Sequence, residues 1–266
     1  MRLILASNSK NRQNIFKNIG WKYEVIKSTV EEHSDATDPD EYVMDLSRDK
    51  ANSVASNMEA TEYWNSVSNT KEFKTPFQIE EFSKYVDKEK KVLDIGCGYG
   101  RTLNELYNLG YKNLIGFDFS EGMIERGKKN FPNLDLRIKY TEKIDMPDNS
   151  VDSVILFAVL TCIVKNIEQK QLIEEIHRVL KPNGILYIND YLLNIDERNV
   201  SRYKEYKNKY NEYGVFELPE GGIFRHHSKE WIIELLKDFD TVKFKDLIFT
   251  TMNGHKTNGF YYIGRK

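Results

Sequence analysis

Two places in this sequence hold residues that could do chemistry. The first is Val92-Leu93-Asp94-Ile95-Gly96-Cys97-Gly98-Tyr99-Gly100, which follows an apolar run and precedes a helix-like one. Glycines at such a turn let the backbone bend tightly and come close to a ligand. Asp118 ends the next apolar run, 22 residues after Gly96. A carboxylate at that place can accept hydrogen bonds from both hydroxyls of a ribose. The second is Arg225-His226-His227-Ser228. One of the two histidines could act as a general base or touch a substrate. As joint metal ligands they are poor, because neighbouring side chains diverge in extended chain, and Ser228 reads as the N-cap of the next helix.

The loop can be sorted by charge and spacing. A dinucleotide loop, G-x-G-x-x-G, would need glycine where Arg101 stands; here glycine falls one place early, at Gly100. Asp94, at the start of the turn, would repel a pyrophosphate and suits a ligand that carries positive charge. No Gly-Lys-Ser/Thr follows, which excludes a triphosphate-cradling loop. The plain alternative is a tight strand-to-helix turn with no ligand.

Elements must position these residues, and the chain reads as two pieces. Residues 1–57 read as β-α-β-α: a strand Arg2–Leu5, a helix capped by Ser9 and stopped at Gly20, a strand Tyr23–Ile26, and a helix Asp40–Asn57. The second piece, 58–266, opens with helix signals at Glu59–Val67 and Pro76–Val86. Strands then alternate with helices: Val92–Ile95, Leu114–Asp118, Leu134–Tyr140, Val151–Val159 and Ile185–Leu192. Such alternation predicts a parallel sheet with helices on both faces. In the helix Glu168–Leu180, Leu172, Ile176, Val179 and Leu180 form one apolar stripe, and His177 is expected to face solvent. Two strands, Val242–Thr250 and Gly259–Gly264, close the chain.

Composition excludes several classes. The 266 residues carry 39 basic and 41 acidic side chains, a net charge of −2, so no electrostatic signal favours nucleic acid. The longest apolar run, Val154–Val164, is 11 residues, short of the roughly 20 that cross a bilayer. Two cysteines cannot build a disulfide framework or a four-cysteine zinc site. A cytoplasmic protein in a reducing compartment is expected.

The second piece resembles class I S-adenosylmethionine-dependent methyltransferases. The resemblance rests on Val92–Gly100, Gly116-Phe117-Asp118-Phe119-Ser120, Pro147-Asp148-Asn149-Ser150-Val151-Asp152 and Arg178-Val179-Leu180-Lys181-Pro182-Asn183-Gly184, in the family's order. It implies a Rossmann-like seven-stranded sheet with its last strand antiparallel, and S-adenosylmethionine as cofactor. By position it places Asp94, Gly96, Cys97, Gly98 and Gly100 at the methionine part and Asp118 at the ribose. Phe119 and Met123 would flank the adenine, Tyr140-Thr141 would stand where the family often has an acid near that base, and Phe157 would line the methyl-donor pocket. The fourth strand, Leu156–Cys162, has neither Asp/Asn-Pro-Pro-Tyr/Phe nor Pro-Cys, which disfavours nucleic-acid bases as acceptors; Cys162 reads as a small packing residue.

The insert 194–225 reads as a substrate cap. Tyr203, Tyr206 and Tyr210 share a helical face, interleaved with Arg202, Lys204, Lys207 and Lys209. That pattern suits RNA or a phosphorylated substrate, or an amphipathic cap with solvated lysines; Glu197, Glu205 and Glu212 dilute the positive field and favour the cap. Tyr63 and Trp64 lie where a lid would start.

Residues 1–57 resemble the opening of the Maf (septum-formation inhibitor) nucleotide pyrophosphatases. The shared residues are Leu3-Ile4-Leu5-Ala6-Ser7-Asn8-Ser9, Arg12, Glu24-Val25-Ile26, Glu31-Glu32, Glu41-Tyr42-Val43 and Asp49-Lys50-Ala51. The resemblance puts Ser9, Arg12, Glu32 and Lys50 at phosphate- and metal-handling positions, with Asn11 in place of one arginine. The family's later catalytic acid has no counterpart, because the chain passes into the methyltransferase-like piece. A metal-assisted hydrolase needs its carboxylates assembled on one site, so no pyrophosphatase activity is expected. The reading is therefore a fusion: methyl transfer to a small-molecule acceptor, with no bound metal, His226 or His227 as the catalytic candidates, and no oligomeric state specified. The alternatives are a nucleoside triphosphate pyrophosphatase and a non-catalytic S-adenosylmethionine-binding module.

Overall fold

The structure is a computed structural model that describes residues 3–26, 28, 34, 36–139, 143–250 and 254–266. The chain divides into two compact units, Met1–Glu62 and Tyr63–Lys266.

In the first unit, β1 (Ile4–Leu5) pairs in parallel with β2 (Glu24–Val25), and α1 (Lys10–Asn18) connects them. Ser9 caps α1, its hydroxyl accepting the Arg12 N–H at 3.5 Å. No residue of α1 is buried. Phe16 meets Trp21 and Tyr23 edge-on, with centroids 5.7 and 5.4 Å away. Helix α2 (Pro39–Val67) begins where the Asp38 carboxylate accepts from the N–H groups of Asp40 and Glu41. The sequence suggested two helices here, 40–57 and 59–67. There is one, because neither glycine nor proline interrupts 40–67.

The second unit follows the order α3 (Ile79–Phe82), β3 (Lys91–Ile95), α4 (Arg101–Asn108), β4 (Asn113–Asp118), α5 (Glu121–Asn130), β5 (Asp135–Ile138), β6 (Val151–Phe157), α6 (Asn166–Val179), β7 (Leu180–Tyr191), α7 (Glu197–Tyr210), β8 (Val215–Glu217), β9 (Ile223–Arg225), α8 (Lys229–Leu235), β10 (Asp240–Thr250) and β11 (Lys256–Arg265). Seven strands form one sheet in the order β10-β11-β7-β6-β3-β4-β5. β3 to β7 run parallel, and β11 lies antiparallel to both neighbours. This is the Rossmann-like methyltransferase sheet that the motifs implied.

Successive strand residues face opposite sides of a sheet, and the core divides accordingly. Leu93, Val154, Leu156, Leu186 and Ile188 pack with Ile173, Ile176 and Val179 of α6. Val92, Ile155, Ile185 and Tyr187 pack with Leu103 and Leu106 of α4 and Ile124 of α5. His177 is half-buried, edge-on to Phe239 at 5.3 Å, and not solvent-facing as its helix pattern suggested. The helix expected over 76–86 shrinks to Ile79–Phe82, since the Gln78 N–H bonds the Tyr187 hydroxyl at 3.3 Å instead of starting a longer helix. The cap insert contains a hairpin, β8–β9, that periodicity did not reveal.

Candidate functional site

Strand order reverses between β3 and β6, the place where open α/β sheets bind ligands beyond the carboxyl ends of their strands. A cavity of about 310 Å³ lies there. Of the residues expected to bind a cofactor, Asp94, Gly96, Cys97, Gly98, Asp118, Phe119, Met123 and Phe157 line it.

The glycine turn is shaped by close neighbours. The N–H groups of Gly96 and Cys97 both reach the Phe117 carbonyl, at 2.7 and 3.1 Å, which ties the turn to the end of β4. Gly98 has φ +55°, and a Cβ on it would lie 2.7 Å from the Phe73 ring. Phe73 in turn stacks on Tyr99 with centroids 5.1 Å apart. Arg126 of α5 holds the strap that carries Phe73: it donates to the carbonyls of Ser68 and Lys71, pairs with Glu72, and lies over the Tyr99 ring at 4.0 Å.

Two carboxylates face this turn. Asp118 accepts from the Gly98 N–H and from the Ser120 N–H, both at 2.8 Å. Burial raises its pKa against these bonds. Asp94 is 1% exposed, and its Oδ1 has no hydrogen-bond partner among the described residues. Burial, then the charge of Asp118, push its pKa well above the carboxylate range, with Arg101 pulling the other way. A buried acceptor of this kind is costly unless a donor meets it.

Other expectations need correcting. Gly100 does not line the cavity. It starts α4 at φ +83°, where a Cβ would press on Leu134 and Leu136, so its role is the turn itself. His227 is fully buried and also lies off the cavity, with Nε2 2.8 Å from the Gln169 amide nitrogen. Burial, then Arg225, lower its pKa to about 3. It is a neutral packing residue and not a base. Tyr140 and Thr141 lie outside the described residues, as does Glu32 of the first unit.

His226 lines the cavity. Its Nδ1 sits 2.6 Å from the Tyr203 hydroxyl and 3.2 Å from Asn194 Nδ2. Asn194 is oriented by accepting the Asn258 N–H at Oδ1 and donating to the Leu192 carbonyl, so its nitrogen faces His226. Nδ1 therefore accepts, and the proton of the neutral ring belongs on Nε2. Burial, followed by Arg202, His227 and Arg198, holds the ring well below its ordinary pKa. His226 is arranged to donate a hydrogen bond, not to take a proton.

Sequence reasoning missed much of the wall. Lys71, Phe73, Lys74, Thr75 and Glu220 line it, as do Phe216 and Phe224 of the cap hairpin. Their positions follow from where the strap and hairpin fold over the sheet, for which no local pattern exists. Cys162 lines the cavity as well, and burial raises its thiol pKa, which disfavours the thiolate. Tyr203 is buried behind His226, so the three cap tyrosines do not form one open surface.

Residues 93–188 match the methyltransferase domain family, and residues 2–67 match the Maf-like protein family. The chain thus joins a stretch that matches the Maf-like family to one that matches the methyltransferase domain family. A solved S-adenosylmethionine-dependent methyltransferase from Methanosarcina mazei is 26% identical, with a TM-score of 0.67 over 72% of this chain and 98% of that one. A probable S-adenosylmethionine-dependent methyltransferase of Mycolicibacterium smegmatis is 29% identical over 38% of this chain and 37% of its own length. For the segment, a dTTP/UTP pyrophosphatase of Thermoanaerobacter sp. is 51% identical over 21% of this chain and 29% of its own length. The chain thus spans about a third of the length of these curated relatives.

S-adenosylmethionine is the cofactor of this domain family, and the cavity of the methyltransferase domain fits it. The unpartnered Asp94 oxygen suits the ammonium of its methionine part, Asp118 keeps lone pairs for ribose hydroxyls, and Phe119 and Met123 offer apolar surface for the base.

Proposed function

We propose that the methyltransferase domain transfers a methyl group from S-adenosylmethionine to a small-molecule acceptor. The observation that carries this reading is the buried Asp94 oxygen without a donor among the described residues, set beside Asp118 at the glycine turn that borders the cavity. When bound, the cofactor supplies an electrophilic methyl on a sulfonium. Asp94 and the backbone of the Gly96–Gly98 turn hold the methionine part, and Asp118 orients the ribose. Phe157 and Ala158, at the end of β6, form the wall beside the reacting centre; Ala158 holds φ +55°, a strained conformation kept by its N–H bond to the Asn189 carbonyl at 2.7 Å. The strap, α7 and the β8–β9 hairpin cover the rest and exclude water. Rate would come mainly from holding acceptor and methyl in line, since His226 offers a donor and His227 is sequestered. A covered cavity of about 310 Å³ and a net charge of −2 favour a small acceptor over a nucleic acid.

Calorimetry with S-adenosylmethionine and S-adenosylhomocysteine tests this reading. Both should bind the wild type, and Asp118→Ala should abolish measurable binding; a wild type that binds neither removes the proposal. Transfer of labelled methyl to a component of a metabolite extract then separates an enzyme from a binding module.

A further inference from the structure

Beyond Asp94 and Asp118 the cavity changes sign. On the cap side it is lined by Arg198 and Arg202, one turn apart on α7, and by Lys74 of the strap. Arg198 is exposed and Arg202 half-buried, and the remaining buried or half-buried arginines of this unit are matched. Arg101 pairs with Glu105, Arg126 with Glu72, Arg178 with Glu175 and Asp148, and Arg225 with Glu212 at 3.1 Å. Arg198 and Arg202 have no carboxylate within ion-pair distance among the described residues. The acids nearby are engaged: Asp196 caps α7 by accepting from Asn199, and Glu220 lies 3.9 Å from Lys71, which also donates to the Tyr63 hydroxyl.

Arg202 is also held in place. Its guanidinium lies 3.3 Å from the centroid of the Phe216 ring, and its buried Nε has no acceptor among the described residues. Stacking on Phe216 and a side-chain hydrogen bond to Tyr203 fix the plane of the fork, an arrangement that suits binding of a planar or tetrahedral oxyanion at its remaining N–H groups. His226, beside both arginines, adds its Nε2–H as a third donor.

We infer that the acceptor carries an oxyanion, a carboxylate or a phosphate, which Arg198 and Arg202 clamp at the cap end of the cavity. This rests on the methyltransferase reading for the word acceptor, but the anion site stands on the cap residues alone. The clamp would hold the far end of the molecule and leave its nucleophilic atom toward Phe157 and Ala158.

The test titrates the full chain, with and without saturating S-adenosylhomocysteine, with inorganic phosphate and separately with benzoate, at low ionic strength. At least one anion should bind, and which one binds distinguishes phosphate from carboxylate. Arg198→Gln and Arg202→Gln should each weaken that binding about tenfold or more, Arg202→Lys should recover only part, and affinity for S-adenosylhomocysteine should stay unchanged. If Arg202→Gln disturbs the cap and lowers that affinity too, Arg198→Gln, on an exposed residue, decides the matter. Wild type that takes up neither anion, or an Arg198→Gln chain that binds them as tightly as wild type, overturns the inference. Arginine-dependent anion binding in a chain that does not take up S-adenosylhomocysteine would instead remove the methyltransferase reading and keep the anion site.

Discussion

The two units show how differently a motif and a site depend on the fold. The first unit matches the Maf-like family, and Ser9, Arg12 and Lys50 are among the residues that carried the resemblance. Its strands are two residues each, and α1 buries none of its side chains. Ser9 is occupied as a helix cap. The second unit also carries short motifs, but a seven-stranded sheet brings the ends of β3, β4 and β6 together so that Asp94, Asp118 and Phe157 face one cavity. In the second unit the sheet is what assembles residues distant in the chain on one cavity.

The largest expected effect falls on Asp118. Asp118→Ala removes the acceptor for the Gly98 and Ser120 N–H groups together with the ribose contact. Affinity for S-adenosylhomocysteine should drop by about a hundredfold or more by calorimetry. Retained affinity would mean that the motif of the second unit is not a working site.

Next in size is the packing role of the second histidine. His227→Ala opens a buried space and removes one contact of Gln169, which keeps its bonds to the Leu160 and Ile163 carbonyls, and should cost about 2–4 kcal/mol in urea unfolding. His226→Gln should cost less, because His226 borders a cavity.

The histidine contribution should also depend on pH. Burial holds His227 neutral in the folded chain, with a pKa of about 3, whereas the unfolded chain protonates it near its usual 6.5. The stability it confers is complete above the unfolded value and is lost as pH falls toward 3. Asp190 acts in the opposite direction, because burial raises its carboxyl to about 7. The readout is therefore the stability gap between wild type and His227→Gln, which should be about 2 kcal/mol smaller near pH 5 than above pH 7. A gap that is flat with pH would place a charged imidazole in the folded chain.

The smallest effects belong to the first unit. Ser9→Ala removes a cap worth about 1 kcal/mol, with no change in cofactor affinity. The full chain with nucleoside triphosphates and Mg²⁺ should release no pyrophosphate above background. Release that disappears in Arg12→Ala would make the two units equals after all.

Much of this was legible in the sequence. The periodic runs marked each strand of the large sheet to within a few residues, because a half-buried or fully buried strand must carry apolar side chains at fixed intervals. That the glycine turn and its two acids lie together was legible for a similar reason: a tight strand-to-helix turn at the end of one strand and an acid at the end of the next fall at a fixed spacing. Gly100 and His227 were misplaced. A glycine three residues from a ligand and one that only starts a helix look alike in sequence, and two adjacent histidines on extended chain point to opposite sides.

Taken alone, the amino-acid order determined the sheet, the glycine turn with its two acids and the joining of two family segments, since these depend on local periodicity and on residues close together in the chain. Only the tertiary structure decided which histidine meets the cavity, which proton it carries, and that Arg198 and Arg202 stand there without acidic partners among the described residues. Those properties arise from contacts such as Asn194 with His226 and Arg202 with Phe216, where chain segments far enough apart to leave no shared pattern are brought together by the packing of the cap over the sheet.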